Sequence, residues 1–264
     1  MALERLVKSP YVRAVNYHDV PPSMASAFEH QLRFYARHFI SVDYATLDRF
    51  QSGDWTGSKP GLILSFDDGT RSHAEVVAPL LEKYGFTGWF MVPGGLLDTP
   101  PAAQPGYARE HSIAHSGFDY GDERVAMTWD ELRSLSRRHI IGSHTWDHSR
   151  LVEGLGAKEI EDQVVRAKSR LEERLGVPVP IFAWVGGEEI SYSRSAASAI
   201  VAAGHTHSFM TNHQVIRQRT PPHQLQRSNI EASDPEAIMT FQLTGLMDIL
   251  YTAKRRRVNR VTAI

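Results

Sequence analysis

Short apolar runs that take turns with helically spaced apolar residues constrain this chain more than any other feature. The runs Val12 to Tyr17, Leu62 to Phe66, Gly88 to Val92, Ile140 to Ser143, Ile181 to Val185 and His207 to Met210 are too short for buried helices and read as strands. Between them, Phe28, Leu32, Tyr35 and Phe39, or Ile160, Val164, Ala167 and Leu171, recur at helical spacing. Repeated strand-then-helix order predicts parallel strands with helical crossovers, as an open doubly wound sheet or a closed barrel. The order alone leaves both open. Thr128 with Glu131 predicts a capping box, and Asp234 followed by Pro235 predicts an N-cap with proline at the first helical position.

With 264 residues, 42% of them hydrophobic, the chain can bury one large core, and a single domain over residues 1–264 is expected. Two stretches depart from the rhythm: an insertion loop at about 93–127, with Pro100, Pro101 and Pro105, and a basic C-terminal helix at about 234–258. A net charge of -1 gives no electrostatic case for a nucleic-acid partner. Cysteine is absent, so thiol nucleophiles and thiolate metal sites are excluded, and any metal site must be built from His, Asp and Glu. Glu4, Arg5 and Lys8 interrupt what an export signal would need as an apolar core, and no apolar run reaches the roughly 18 residues of a membrane span. A cytoplasmic protein without a transmembrane span is therefore expected.

Two motifs carry chemistry. Asp67 and Asp68 stand side by side at the end of the Leu62 to Phe66 run, followed by Gly69. Neighbouring residues leaving a strand point in different directions, so one carboxylate can hold a cation while the other takes a proton. The plain alternative is a solvated strand-end turn. His144 and His148 follow the Ile140 to Ser143 run, and histidines four apart in a helical turn share one face, as two ligands of one ion require; two polar loop histidines are the alternative. Both motifs fall at carboxyl ends of predicted parallel strands, where such folds build their sites. Asp68, His144 and His148 then supply three ligands and leave a place for water, with Asp67 free as general base.

Ser65-Phe66-Asp67-Asp68-Gly69 and His144-Thr145-Trp146-Asp147-His148 together resemble the two metal motifs of the polysaccharide deacetylases of the NodB homology type, carbohydrate esterase family 4. Tyr17-His18 and Met127 to Leu132 are similar to common members as well. The resemblance runs from about residue 12 to 210. It implies an α/β fold of the distorted (β/α)7 barrel type, a divalent ion such as Zn²⁺ (Co²⁺ and Ni²⁺ suit the same ligands), and hydrolysis of N-acetyl groups on amino sugars of a polymer, an exopolysaccharide precursor among them. It assigns Asp67 as base and Asp68, His144 and His148 as metal ligands.

The family's third motif is altered here to Phe182-Ala183-Trp184-Val185-Gly186-Gly187, without its proline. Trp184, Gly186 and Gly187 are candidates for a substrate groove, with a core role for Trp184 as the alternative. The family's late histidine motif has no clear counterpart, so His18, just past the first strand, and His213, after the run ending at Met210, are the candidate proton carriers. Arg227, in Gln226-Arg227-Ser228-Asn229-Ile230-Glu231, is a candidate to pair with Asp67 or bind substrate, unless it sits on a surface turn. The run Lys254 to Arg257 fits either a solvated helix end or a contact with anionic lipid or a lipid-linked sugar. A phosphatase reading fails on spacing, because the aspartate-nucleophile loop needs carboxylates two apart and this chain has Gly69 there. A glycan-binding protein that keeps the barrel without turnover is the competing function.

Overall fold

The computed structural model describes residues 10–264; the charged stretch weighed above as an obstacle to export, residues 1–9, lies outside the described residues. The strands are β1 (Val12–Tyr17), β2 (Ile40–Ser41), β3 (Gly61–Asp67), β4 (Gly88–Val92), β5 (Ile140–Ser143), β6 (Ile181–Ala183), β7 (His207–Met210) and β8 (Leu225–Asn229). Every strand pairing is parallel, and β1 pairs with both β8 and β3, which closes a barrel of seven strands. The two-residue β2 lies outside that ring, bonded to the start of β3 ahead of β4. The closed barrel settles the choice the strand order left open, and it is the distorted (β/α)7 architecture.

Side-chain alternation decides what fills the barrel. On β1 the inward column runs Val12, Ala14, Asn16; on β3 it runs Gly61, Ile63, Ser65, Asp67; on β8 it runs Leu225, Arg227, Asn229. The lower members pack with Trp89, Met91, Ile181, Ala183 and Phe209 into an apolar plug. Each column turns polar toward its carboxyl end. The opposite faces, with Val15, Tyr17, Leu64, Phe66, Phe90 and Ile141, pack against the surrounding helices such as Ala25–His38, which contributes Phe28, Leu32 and Tyr35. Both faces of the strands are therefore buried, as parallel barrels require.

Four boundaries differ from the sequence reading. β6 ends at Ala183 rather than Val185, since the backbone leaves the sheet toward Gly186, whose φ is 78°. The 93–127 stretch is not a bare loop but holds helices at Gly94–Asp98 and Gln104–Glu110. Its prolines start helical turns instead of breaking them, because a first-turn residue has no intrahelical N–H bond to lose. The C-terminal segment is three short helices, Glu236–Leu243, Leu246–Leu250 and Thr252–Val261, not one. Pro235 itself occupies the N-cap there, while Asp234 accepts from the Glu231 N–H. The Thr128–Glu131 capping box forms as read. Among the described residues, no helix is long and apolar enough to cross a membrane.

Candidate active site

The polar ends of the inward columns meet at one mouth of the barrel, in a cleft of about 770 Å³. Asp67 is the last residue of β3, and Asp68 turns away from it with a left-handed φ of 80°. The two carboxylates thereby face different neighbours. Arg227, inward on β8, donates from Nη1 to Asp67 Oδ1 at 2.7 Å and from Nη2 to Oδ2 at 2.8 Å. Nη1 also donates to Asn16 Oδ1 at 3.0 Å and Ser65 Oγ at 3.2 Å, so the guanidinium is held by β1 as well as by β3. Burial alone would raise the Asp67 pKa, but the Arg227 charge holds it below the ordinary carboxylate range. Asp67 is ionised at neutral pH.

Asp68 faces the histidines. One ligand atom from each of Asp68, His144 and His148 lies within 4.8 Å of the other two, and His148 Nε2 is 3.1 Å from Asp68 Oδ1. That oxygen is buried, and its polar neighbours are the two imidazole nitrogens, His148 Nε2 at 3.1 Å and His144 Nε2 at 3.8 Å, an arrangement a shared cation would satisfy. The donor set, one carboxylate and two imidazoles, fits a zinc-like divalent ion. Outer contacts aim each ligand. The Ala183 carbonyl lies 2.9 Å from His144 Nδ1 and the His111 carbonyl 2.7 Å from His148 Nδ1, which leaves both Nε2 atoms for a metal. The Ala114 N–H donates to Asp68 Oδ2 at 3.2 Å. Burial brings His144 down to about 4, against the pull of Asp67, so it stays neutral as a ligand must.

The histidine pair does not ride a helical turn. Thr145 and His148 both adopt left-handed backbone, at φ 60° and 54°, in an irregular loop. Among the described residues, the non-glycine positions with positive φ are Asp68, Ser112, Thr145, His148 and His213, and the cleft wall includes all of them but Thr145. Backbone strain of this kind is held only where surrounding contacts over-determine it. Gln163 does much of that here: its Oε1 accepts from the N–H groups of Trp146 (3.0 Å) and Asp147 (2.9 Å), and its Nε2 donates to Asp147 Oδ2. From the other side the Gly95 N–H donates to the Trp146 carbonyl at 2.8 Å. A Cβ at Gly95 would stand 2.3 Å from Tyr107 Oη and 2.9 Å from that carbonyl, so only glycine lets the inserted helix come so close.

The remaining candidates divide. His18 lies in the cleft, its Nδ1 3.3 Å from Glu231 Oε1 and its backbone carbonyl 2.9 Å from His73 Nε2. Burial opposes its charge, yet Glu231 together with the Asp68 and Asp67 carboxylates lifts its pKa to about 9. His213 also lines the cleft, but its charged neighbours are Arg13, Asp248, Lys254 and Arg255 rather than the aspartate pair; burial first, then Arg13, takes it down to about 4. Trp184 is 1% exposed and packs on Phe182 and Tyr192, so it is a core residue at the cleft floor and not an open stacking platform. Gly186 and Gly187 line the wall as read; at Gly186 a Cβ would meet Ser191 Oγ at 2.7 Å. Arg227 is no surface turn: it is 1% exposed within β8. Sequence reasoning missed Asn16, Ser65, Gln163, Tyr251 and the carbonyls of His111 and Ala183, whose roles depend on which strands and loops become neighbours.

A closed parallel barrel with a carboxylate–histidine cluster and a second, arginine-clamped carboxylate at its mouth defines a class of candidate metallohydrolase. Residues 55–208, more than half of the chain, match the polysaccharide deacetylase family, and the chain belongs to it. It is 28% identical over 97 residues to the poly-β-1,6-N-acetyl-D-glucosamine N-deacetylase of Escherichia coli K12, a match spanning 34% of this chain and 13% of that enzyme. Among solved structures, the Streptococcus pyogenes deacetylase PplD in complex with acetate superposes with a TM-score of 0.69 at 16% identity, covering 89% of this chain and all of that one. IcaB from Ammonifex degensii gives 0.65 at 18% identity, covering 89% and 97%. At these identities the likeness is one of fold.

Proposed function

We propose that this chain removes N-acetyl groups from amino sugars of a poly- or oligosaccharide, with Asp68, His144 and His148 holding a divalent cation and Asp67 as general base. The observation that carries the reading is the division of labour between adjacent carboxylates: Asp67 is saturated by Arg227, while Asp68 turns a buried oxygen to two imidazole nitrogens. Family membership and the E. coli relative support carbohydrate N-deacetylation, and an exopolysaccharide of the β-1,6-N-acetylglucosamine kind is the substrate class we favour.

A cation bound there supplies Lewis acidity, polarising the acetyl carbonyl and making water a better nucleophile near neutral pH. Asp67 takes the proton as water adds to the carbonyl carbon, and Arg227 keeps that carboxylate oriented and ionised before the reaction. When the carbon–nitrogen bond breaks, the amine needs a proton. His18 is placed to give it: it lines the same cleft, and Glu231 keeps its imidazolium charged. His213, which lacks the aspartate pair among its charged neighbours, is assigned to the cleft wall instead. Arg227 from β8 gives Asp67 a buried charge partner, which supports turnover over a barrel that only binds glycan.

The test is acetate release from N-acetylglucosamine oligosaccharides with Zn²⁺ or Co²⁺ added, then with chelator. Asp67→Asn should abolish release while retaining metal, and His144→Ala should lose the metal itself. Full activity in both variants would overturn the assignment.

A further inference from the structure

The segment that follows β8 turns its apolar side chains outward. Ile238, Phe241, Leu246, Ile249 and Leu250 are all exposed, the last two at 65% each, and the helix Leu246–Leu250 buries none of its residues. An apolar cluster this dense on a water-facing surface marks a surface that meets something. Past Glu236, which stands 3.0 Å from His30 Nε2, the charges of the segment are sorted by sign. Asp248, the sole carboxylate between residues 237 and 264, is turned inward, where it accepts from Arg13 Nη1 at 2.7 Å and from the Val215 N–H at 3.0 Å. Arg255 is also turned inward, donating to the carbonyls of His213 and Asn212. Arg257 is paired with Glu189. Arg256 and Arg260 stay exposed, and Lys254 stands at the cleft edge.

We infer that this face docks on an anionic lipid bilayer, with Leu246, Ile249 and Leu250 entering the headgroup boundary and Arg256, Arg260 and Lys254 meeting lipid phosphates. Apolar side chains beside outward cations, with Asp248 withdrawn, are what an interfacial segment requires. Charge argues against a second copy as the occupant, because pairing this face with itself would set basic helix against basic helix. Tyr251 and Lys254, directly after Leu250, line the cleft, so docking sets the cleft mouth at the membrane surface. The substrate would then be a glycan held at a membrane, a consequence that rests on the deacetylase reading; the docking itself does not.

The experiment is co-sedimentation of the full chain with vesicles of phosphatidylcholine alone and of phosphatidylcholine with phosphatidylglycerol, alongside acetate release from a soluble oligosaccharide. The chain should partition onto anionic vesicles about tenfold or more above neutral ones, and less so as salt is added. Ile249→Ser combined with Leu250→Ser should cut partitioning about tenfold or more, and Arg256→Glu should cut it on anionic vesicles, while acetate release in solution stays unchanged. Partitioning that neither change alters, no partitioning at all, or a dimer in solution that the double variant dissolves would each overturn the proposal. Vesicle binding that behaves as stated in a chain that releases no acetate would sink the enzymatic reading and leave the docking face standing.

Discussion

Arg227 closes a two-pronged pair on Asp67 across 160 residues of chain, Nη1 to Oδ1 and Nη2 to Oδ2 at 2.7 and 2.8 Å, with both side chains buried. Removing one partner of such a pair strands the other charge in a low-dielectric interior. Arg227→Ala should therefore lose about 3–5 kcal/mol of stability in denaturant titrations. It should also lower kcat about a hundredfold or more, since the base loses its orientation and its charge support. Arg227→Lys keeps the charge but not the fork, so it should recover part of the stability and little of the rate. A kcat for Arg227→Ala equal to the parent's would remove Arg227 from the machinery.

That pair marks where the sequence stopped being legible. Six strands show as apolar runs because both their faces are buried in hydrophobic surroundings. β8, Leu225–Asn229, lies in the same barrel yet reads Leu-Gln-Arg-Ser-Asn, because its inward column is the site wall and its Gln226 reaches Met210 and Asn259. A strand whose buried positions serve chemistry carries no hydrophobic signal. β2 is too short to show any pattern. The candidate ligands Asp68, His144 and His148 were readable because they sit within two compact motifs. The loop that presents the histidines was not: a spacing of four suggested a helical turn, whereas two left-handed residues and Gln163 set their aim.

Gln163 gives the next expectation. Gln163→Leu removes the acceptor shared by the N–H groups of Trp146 and Asp147 and frees a strained loop to relax. Metal affinity, measured by competition with a chromogenic chelator, should fall about 10–100-fold, as for other groups that orient ligands from behind. Gln163→Glu keeps the acceptor but sets a second carboxylate against Asp147, so it should rescue incompletely. Unchanged affinity in the leucine variant would show that the loop holds itself.

Metal should also register as stability. A ligand that binds only the folded chain at a concentration of 100 times its Kd adds about 2.7 kcal/mol. Adding Zn²⁺ should raise the thermal midpoint, and EDTA should reverse it. In Asp68→Asn the rise should shrink or vanish, because the neutral amide gives the ion a poorer ligand in place of the buried carboxylate oxygen. A midpoint that ignores both metal and chelator would empty the site of its assigned role.

Acid sensitivity should come from the far side of the sheet. His205 is 3% exposed and its ring lies 5.4 Å from that of Phe182. Burial, then the Lys168 charge, brings its pKa down to about 3, with Glu172 opposing and His223 adding to the depression. The folded chain thus binds this proton less readily than the unfolded chain, where the ring titrates near 6.5. Stability from a neutral His205 is complete above about pH 6.5 and is lost as pH falls toward 3, at up to about 1.4 kcal/mol per unit. His207, brought down to about 4 by burial and then by His223, acts in the same direction. His205→Phe keeps a ring of similar shape against Phe182 and removes the titrating group. Urea titrations between pH 6 and pH 4 should then show a shallower loss of stability than the parent, by up to that amount per unit, with little change at pH 7. The same slope in both proteins would mean that His205 opens to water before it titrates.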